Sequence, residues 1–433
     1  MAGASGRLSA LASAAWVRWA LVAVLLVAYC GWTGYLLARD KPIDFYVYYL
    51  AAYGFARGED VYARHQTPTD GDWWAALAAR AKVANFTYPY RYPPLTAQLA
   101  WPLTYLPPRF AAMAWLLGSA AALIAAAWLL GCIEPERFGV PLALGMLLCF
   151  VPCLTTLRAG QVNGFLFLAT AFALYSFVRG RQARTGLGVA VGTMLKLVPA
   201  ALLVYLAWRR QWRAVLVGAA VIALLFVFAL PLTRWTGLIS YGRNFLPLGA
   251  AGNLIPSDAN QSLNGFFSRL FVVRPDRPHV LDAPQLAWLL YAASAFALLV
   301  GTAIVCWPRG DLARLGELEF ALVVVAMNLP TPYVWYYQLV LLLIPFFVLT
   351  RRALHQPSLR WMLIPLGAAF VLTDLHGLIW QKLVAWPLLL STPLYAMILL
   401  WGLLAWLIVR EKWRMFDPAS RGAGAGAAAS DFA

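Results

Sequence analysis

Apolar runs recur from residue 16 to residue 409, and the short loops between them carry Arg and Lys. A bilayer hydrocarbon core roughly 30 Å thick needs about 20 apolar residues per spanning helix. Inside lipid each backbone N–H and C=O must find a partner within the chain, so runs of this length cross as helices. With 62% hydrophobic and only 12% charged residues, the chain has more apolar surface than a soluble domain can bury. The formal net charge of +16 is spread over many loops and forms no single basic patch. That excludes a nucleic-acid reading and matches the cation-rich cytoplasmic loops of a polytopic membrane protein. The cysteines, Cys30, Cys132, Cys149, Cys153 and Cys306, lie in or beside apolar runs with no CxxC pairing. Neither disulfides nor a metal site is expected from them, and His65, His279, His355 and His376 are too dispersed in sequence to suggest a metal cluster. No cofactor is expected.

Taken in order, residues 1–15 read as a cytoplasmic tail, and 16–38 as a retained span, since no convincing cleavage site precedes it. Residues 39–92 form a first outer loop. Its stretches YVYYLAAYGFARG and DWWAALAARAKVANF are expected as interfacial helices, with aromatics toward lipid and Arg57, Arg80 and Lys82 toward headgroups. Prolines punctuate 90–110, leaving it half-embedded, and 111–131 crosses inward to a charged turn at 134–137. Residues 141–157 and 165–178 flank the polar turn Arg158-Ala-Gly-Gln161-Val-Asn163. Between the basic clusters at 179–184 and 209–213, the apolar stretch is broken at Lys196 and Pro199. A hairpin of two short helices keeps both clusters inside and points Lys196 outward. Further crossings are expected at 214–230, 286–307, 319–329, 339–349, 361–378 and 387–409, with a second outer loop at 231–283 and a disordered tail at 415–433. The fold class is therefore an all-α polytopic membrane protein, with about 12 transmembrane helices forming one domain over 16–414.

This topology sends many polar residues to one face. Asp44, in KPIDFYVYY, lies just beyond the first span, where a carboxylate is costly to desolvate and suits a general base. Lys196, Arg158 and Arg243 suit a phosphate. Gln161, Asn163, Asn260, Asn264, Tyr92, Trp335, Tyr336 and Tyr337 suit sugar or acceptor contacts. Each has a plainer reading. Asp44 pairs with Arg39 or Lys41, the cations snorkel to headgroups, the amides cap turns, and the aromatics belong to the interface belt. Convergence on one face favours a site, whose chemistry is attack of an acceptor hydroxyl on an anomeric carbon as a phosphate leaves, with inversion.

The order of motifs IDFYVYY, Gly58-Glu-Asp-Val-Tyr62, YRYPPL, AGQVNG, MLKLVP followed by RRQWRA, NQSLNG and TPYVWYY resembles glycosyltransferase family 87, a branch of the GT-C superfamily. The similarity runs from Asp44 to about Tyr337. It implies a GT-C fold and transfer of mannose or another hexose from a polyprenyl-phosphate-sugar donor to a glycolipid or glycan acceptor. The resemblance places this chemistry on the outer face of the plasma membrane, in a chain expected as a monomer. It also implies that Asp44 is the base and that Lys196, Gln161 and Asn163 lie near the donor. One departure concerns TPYVWYYQ: actinobacterial mannosyltransferases of the family carry histidine after this tryptophan, where the chain has Tyr336, Tyr337 and Gln338. Tyrosine does not replace histidine as a near-neutral acid or base. The rival from another class is a flippase for a lipid-linked sugar. A transporter of that kind is expected to show internal pseudo-symmetry and midplane polar groups, and the sequence displays no such repeat.

Overall fold

The computed structural model describes residues 15–39, 42–64, 68–84, 86–133, 139–244, 253–308, 312–376 and 386–416. The N-terminal tail, Lys41, the charged turn at 134–137 and the tail beyond 416 lie outside them. Among the described residues helix is the regular secondary structure and no strand forms; isolated bridges join Asn260 to Trp335 and Arg274 to Arg277.

The helices are α1 (Ala15–Arg39), α2 (Ile43–Phe55), α3 (Pro68–Arg80), α4 (Pro94–Ala100), α5 (Pro108–Gly131), α6 (Gly139–Cys149), α7 (Val151–Ala159), α8 (Asn163–Val178) and α9 (Gln182–Leu195). They continue as α10 (Ala200–Trp208), α11 (Trp212–Asn244), α12 (Leu263–Phe271), α13 (Pro284–Val305), α14 (Leu312–Ala326), α15 (Leu343–His355), α16 (Leu363–Leu375) and α17 (Thr392–Phe416). Among the described residues, 7 segments are long and apolar enough to cross a membrane, or up to 8 if the bent pair α6 and α7 is one span. The chain is a multi-pass membrane protein on that ground. The twelve expected crossings include shorter pieces, such as α8, that fall below this length.

Broken helices organise the middle of the chain. α6 and α7 meet at a 60° bend, where Phe150 is extended and Pro152 cannot donate to the preceding turn. α9 and α10 are separated at Lys196–Pro199, where Lys196 is extended (φ −157, ψ 131). α8 and α9 run antiparallel, with Gly188 against Ala173 and Gly192 near Leu166, and Phe177 meets Tyr205 near the far ends of α8 and α10, so Asn163 and Lys196 lie at one end and the basic turns at 179–182 and 209–211 at the other.

The segment 39–92, read from sequence as a first outer loop, buries aromatics that were expected to face lipid. Beyond Asp44 in its first turn, α2 is apolar and aromatic on all sides, and such a helix is buried rather than laid on a surface. Phe45, Tyr48, Tyr49 and Phe55 are buried in the core, as is Trp74 of α3. Arg57 donates to the Tyr53 carbonyl and Arg80 pairs with Glu59 at 2.9 Å. α11 continues through Pro231 and a kink at Arg234 (φ 57) as far as Asn244, into the segment read from sequence as a second outer loop. The Arg234 guanidinium lies against Gly58, where a Cβ would come within 2.6 Å of it. Gly58 also has φ +80, so the Gly-Glu-Asp-Val-Tyr step has a packing reason as well as a turn. At the opposite end, cations that read as loop charges meet buried acids. Glu319 pairs with Arg209 at 3.2 Å and with Lys412 at 3.4 Å, and Glu317 pairs with Arg351.

Candidate active site

α7 ends in a turn that requires glycine. Gly160 is left-handed (φ 70, ψ 30), and a Cβ there would come within 2.8 Å of Pro42 Cβ and Phe45 Cβ. The bare backbone lets the start of α2 close on the turn, and Trp115 Nε1 clamps it by donating to the Gly160 carbonyl at 2.9 Å. Gly160→Ala is expected to cost roughly 2–4 kcal/mol through the disfavoured backbone and the overlap with α2. Thermal melting of the purified protein checks the first effect. A labelled-sugar assay checks the second, an accompanying loss of transfer of about tenfold or more through displacement of Gln161.

Gln161 is fully buried beside α2. Its Oε1 accepts from the Tyr48 hydroxyl at 2.9 Å, and its Nε2 donates to the Tyr92 hydroxyl at 3.0 Å. The Tyr48 and Tyr92 rings meet edge to face at 4.8 Å. Asp44 is one turn before Tyr48 on the same face of α2. Burial pushes its carboxyl up to about 6, against a hydrogen bond from Gln161 and the charge of Lys196. Lys196 comes from the break after α9. Its Nζ is buried without a hydrogen-bond partner among the described residues and lies 5.8 Å from the centroid of the Tyr337 ring. Burial brings its ammonium down to about 8, partly offset by Asp44. A carboxylate and an ammonium far apart in sequence thus act on each other across the fold, each poised near neutrality.

The segment from Tyr333 to Tyr337 forms an aromatic wall beside this pair. Tyr333, Trp335 and Tyr337 are partly exposed on alternate positions, while Val334 and Tyr336 are buried. The Tyr333 and Trp335 rings lie 5.0 Å apart, and those of Trp335 and Tyr337 6.2 Å apart at 20°. Thr156 of α7 donates to the Tyr337 carbonyl at 2.9 Å, fixing the wall to the same helix that presents Gln161. Tyr336 turns the other way, against the His376 ring at 5.3 Å.

Several residues named from sequence take other positions. Asn260 is fully buried; its Oδ1 accepts from Ser262 Oγ at 2.9 Å and Val334 N at 3.0 Å, and its Nδ2 donates to the Pro332 carbonyl at 2.8 Å. Asn264 accepts from Ile255 N and donates to the Asn253 carbonyl, both at 3.0 Å. Both amides therefore secure loop backbone, and Asn260 ties it to the aromatic wall. Arg158 is exposed on the last turn of α7. Arg243 is exposed near the end of α11, next to Asn244, which donates to the Tyr62 carbonyl at 3.1 Å. The cation acting on Asp44 is Lys196. Asn163 opens α8, fully buried, and neither its Oδ1 nor its Nδ2 has a partner among the described residues. Tyr48 and Trp115 were not singled out in sequence. The four-residue spacing from Asp44 marks Tyr48, whereas nothing local marks Trp115, which reaches Gly160 across 45 residues.

The family model described as glycosyltransferase family 87 matches residues 90–332. The chain belongs to glycosyltransferase family 87. As a family member it is a glycosyltransferase; the matched segment includes Tyr92, Gln161, Asn163 and Lys196 and begins after Asp44. Among curated relatives, a polyprenol-phosphate-mannose-dependent alpha-(1-2)-phosphatidylinositol pentamannoside mannosyltransferase of Mycobacterium tuberculosis (strain CDC 1551 / Oshkosh) is 28% identical over 347 residues, 77% of this chain and 76% of that protein. A protein with the same name from Mycolicibacterium smegmatis is 27% identical over 342 residues, 76% of this chain and 78% of its own. A polyprenol-phosphate-mannose-dependent alpha-(1-2)-phosphatidylinositol mannoside mannosyltransferase of Mycobacterium tuberculosis (strain ATCC 25618 / H37Rv) is 24% identical over 336 residues, 72% of this chain and 70% of its own.

Proposed function

We propose that this family 87 glycosyltransferase transfers mannose from a polyprenyl-phosphate donor to a glycolipid acceptor, with inversion, and that Asp44 is the general base. The observation that carries the reading is the convergence of Gln161, Tyr48 and Tyr92 one turn from Asp44, with the Lys196 ammonium over the Tyr337 ring of the aromatic wall and acting on Asp44. The acceptor hydroxyl forms its bond to the anomeric carbon as the bond from that carbon to the phosphate oxygen breaks. The hydroxyl proton passes to the Asp44 carboxylate, and the electron pair leaves with polyprenyl phosphate. Lys196 meets the charge that develops on the departing oxygen, in a setting where low dielectric strengthens the attraction. Tyr337, Trp335 and Tyr333 offer ring faces to the sugars, and Asn163 and Gln161 border the donor. Arg158, from the exposed end of α7, is a second phosphate contact; Arg243, Asn260, Asn264 and Tyr336 drop out of the site. The relatives' names support mannose as the sugar and a phosphatidylinositol mannoside as the acceptor class.

The end of the bundle that holds Lys196 faces away from the basic turns, which supports an active site on the outer face of the plasma membrane. In this reading α8 and the α9–α10 hairpin supply crossings beyond the long helices.

The test supplies purified protein in proteoliposomes with polyprenyl-phosphate [14C]mannose and a phosphatidylinositol mannoside. A labelled glycolipid with inverted anomeric configuration is the expected product. Movement of the intact donor between leaflets with no labelled product would replace the transferase reading with that of a translocator.

A further inference from the structure

An acid on a membrane-spanning helix calls for a role, and Asp374, near the end of α16, is not used by the chemistry above. Its carboxylate reaches 223 residues back along the chain. Asp374 Oδ1 accepts from Val151 N at 3.0 Å, the first amide of α7. That amide needs an outside acceptor. Phe150, which precedes it, gives no side-chain cap; Pro152 has no N–H; and Cys153 N already donates to the Phe150 carbonyl at 3.0 Å. The bend between α6 and α7 leaves Val151 without the carbonyl of a continuous helix, and Asp374 supplies the substitute.

α7 has 9 residues, so its two ends are about 14 Å apart. Its C-terminal end carries the site: Gly160 against Pro42 and Phe45, Gln161 against Tyr48 and Tyr92, and Thr156 bonded to the Tyr337 carbonyl. A short helix capped at one end and delivering Gln161 at the other transmits its position as a rigid piece. We infer that Asp374 is a positioning residue for transfer, holding α7 so that Gln161 stays bonded to Tyr48 and Tyr92, one turn from Asp44. The inference rests on Asp44 being the base. The groups facing Asp44 are Lys196, Tyr48, Tyr92 and Tyr337. Cys153 faces Asp374, and the Tyr336 hydroxyl donates to the Asp374 carbonyl at 3.4 Å.

The test compares kcat/KM against pH for the full-length wild type, Asp374→Asn, Asp374→Ala and Val151→Pro in proteoliposomes. Asparagine caps nearly as well as aspartate, so Asp374→Asn is expected within about threefold of wild type, with the acid limb unmoved. Asp374→Ala is expected to lose roughly tenfold or more, because small displacements of site groups are costly. Its acid limb is expected to rise above the wild-type value of about 6, since Asp44 loses the Gln161 hydrogen bond that favours its charged form. Val151→Pro removes the donor and sets its Cδ where the lost hydrogen met Asp374, so the cap is broken from the α7 side while the sequence of α16 is kept. Proline suits the first position of a helix, and Phe150 (φ −90, ψ 105) already has the extended backbone that a following proline accepts. It is expected to reproduce the shifted limb even where Asp374→Ala does not accumulate as folded protein. A wild-type limb in both Asp374→Ala and Val151→Pro would overturn the inference, as would an Asp374→Asn profile matching that of Asp374→Ala. If Asp44→Asn transfers at the wild-type rate, the base reading fails first. If Asp44→Asn is inactive and the limb stays put in both cap variants, only the role of Asp374 fails.

Discussion

Asp44→Asn is expected to reduce transfer by about a hundred- to ten-thousand-fold, the range over which a positioned general base contributes. The substitution preserves size and hydrogen-bonding reach toward Gln161 while removing the group that takes the acceptor proton. The loss is expected in kcat more than in KM, because proton transfer is made in the transition state and not on binding. Stability is expected to hold or improve. A half-buried carboxylate that is costly to ionise gives way to a neutral amide, and the adjoining core of Phe45, Tyr48 and Tyr49 is untouched. Steady-state transfer beside a melting curve separates this outcome from simple unfolding.

Lys196→Met is expected to lower kcat by roughly a hundred- to a thousand-fold, the effect of removing one preorganised group from developing charge. The physical case is the poor ground-state circumstance of its ammonium. Nζ is buried with no hydrogen-bond partner among the described residues, having only the Tyr337 ring at 5.8 Å and the charge of Asp44. An unsatisfied buried cation destabilises a fold unless a ligand completes it. The same variant is therefore expected to melt at or above the wild-type temperature. A lower melting temperature together with full activity would assign Lys196 to the fold instead.

Much of this arrangement was legible because its signals are local. The 16–38 and 111–131 runs appear as α1 and α5 within a few residues, since bilayer thickness sets apolar length directly. The break at Lys196–Pro199 followed from a proline and a charge inside an apolar stretch. Pairings across the chain were not legible. The aromatics of α2 read as a lipid-facing stripe, yet only tertiary packing decides which neighbour a helix apolar on all sides beyond its first turn buries against, and here it is the protein core. Asn260 and Asn264 read as sugar ligands because an amide's partners are invisible in one dimension; in three, those partners are loop backbone. Arg209 reads as a loop cation because Glu319, far away in sequence, is brought to it only by folding. Gly160 shows the two kinds of signal together. A glycine in AGQVNG announces a turn, and the fold adds that Pro42 and Phe45 leave no room for a side chain.

The most direct test of Asp44 and Lys196 as the working pair is the pH dependence of kcat/KM for the wild-type enzyme. The base must be ionised, so activity should rise with pH through the Asp44 carboxyl at about 6; the cation must stay protonated, so it should fall through the Lys196 ammonium at about 8. The account predicts a bell centred near neutrality, with an acid limb that disappears from the residual rate of Asp44→Asn. A profile that is flat across this range, or an acid limb near the ordinary carboxylate value of about 4, would contradict it.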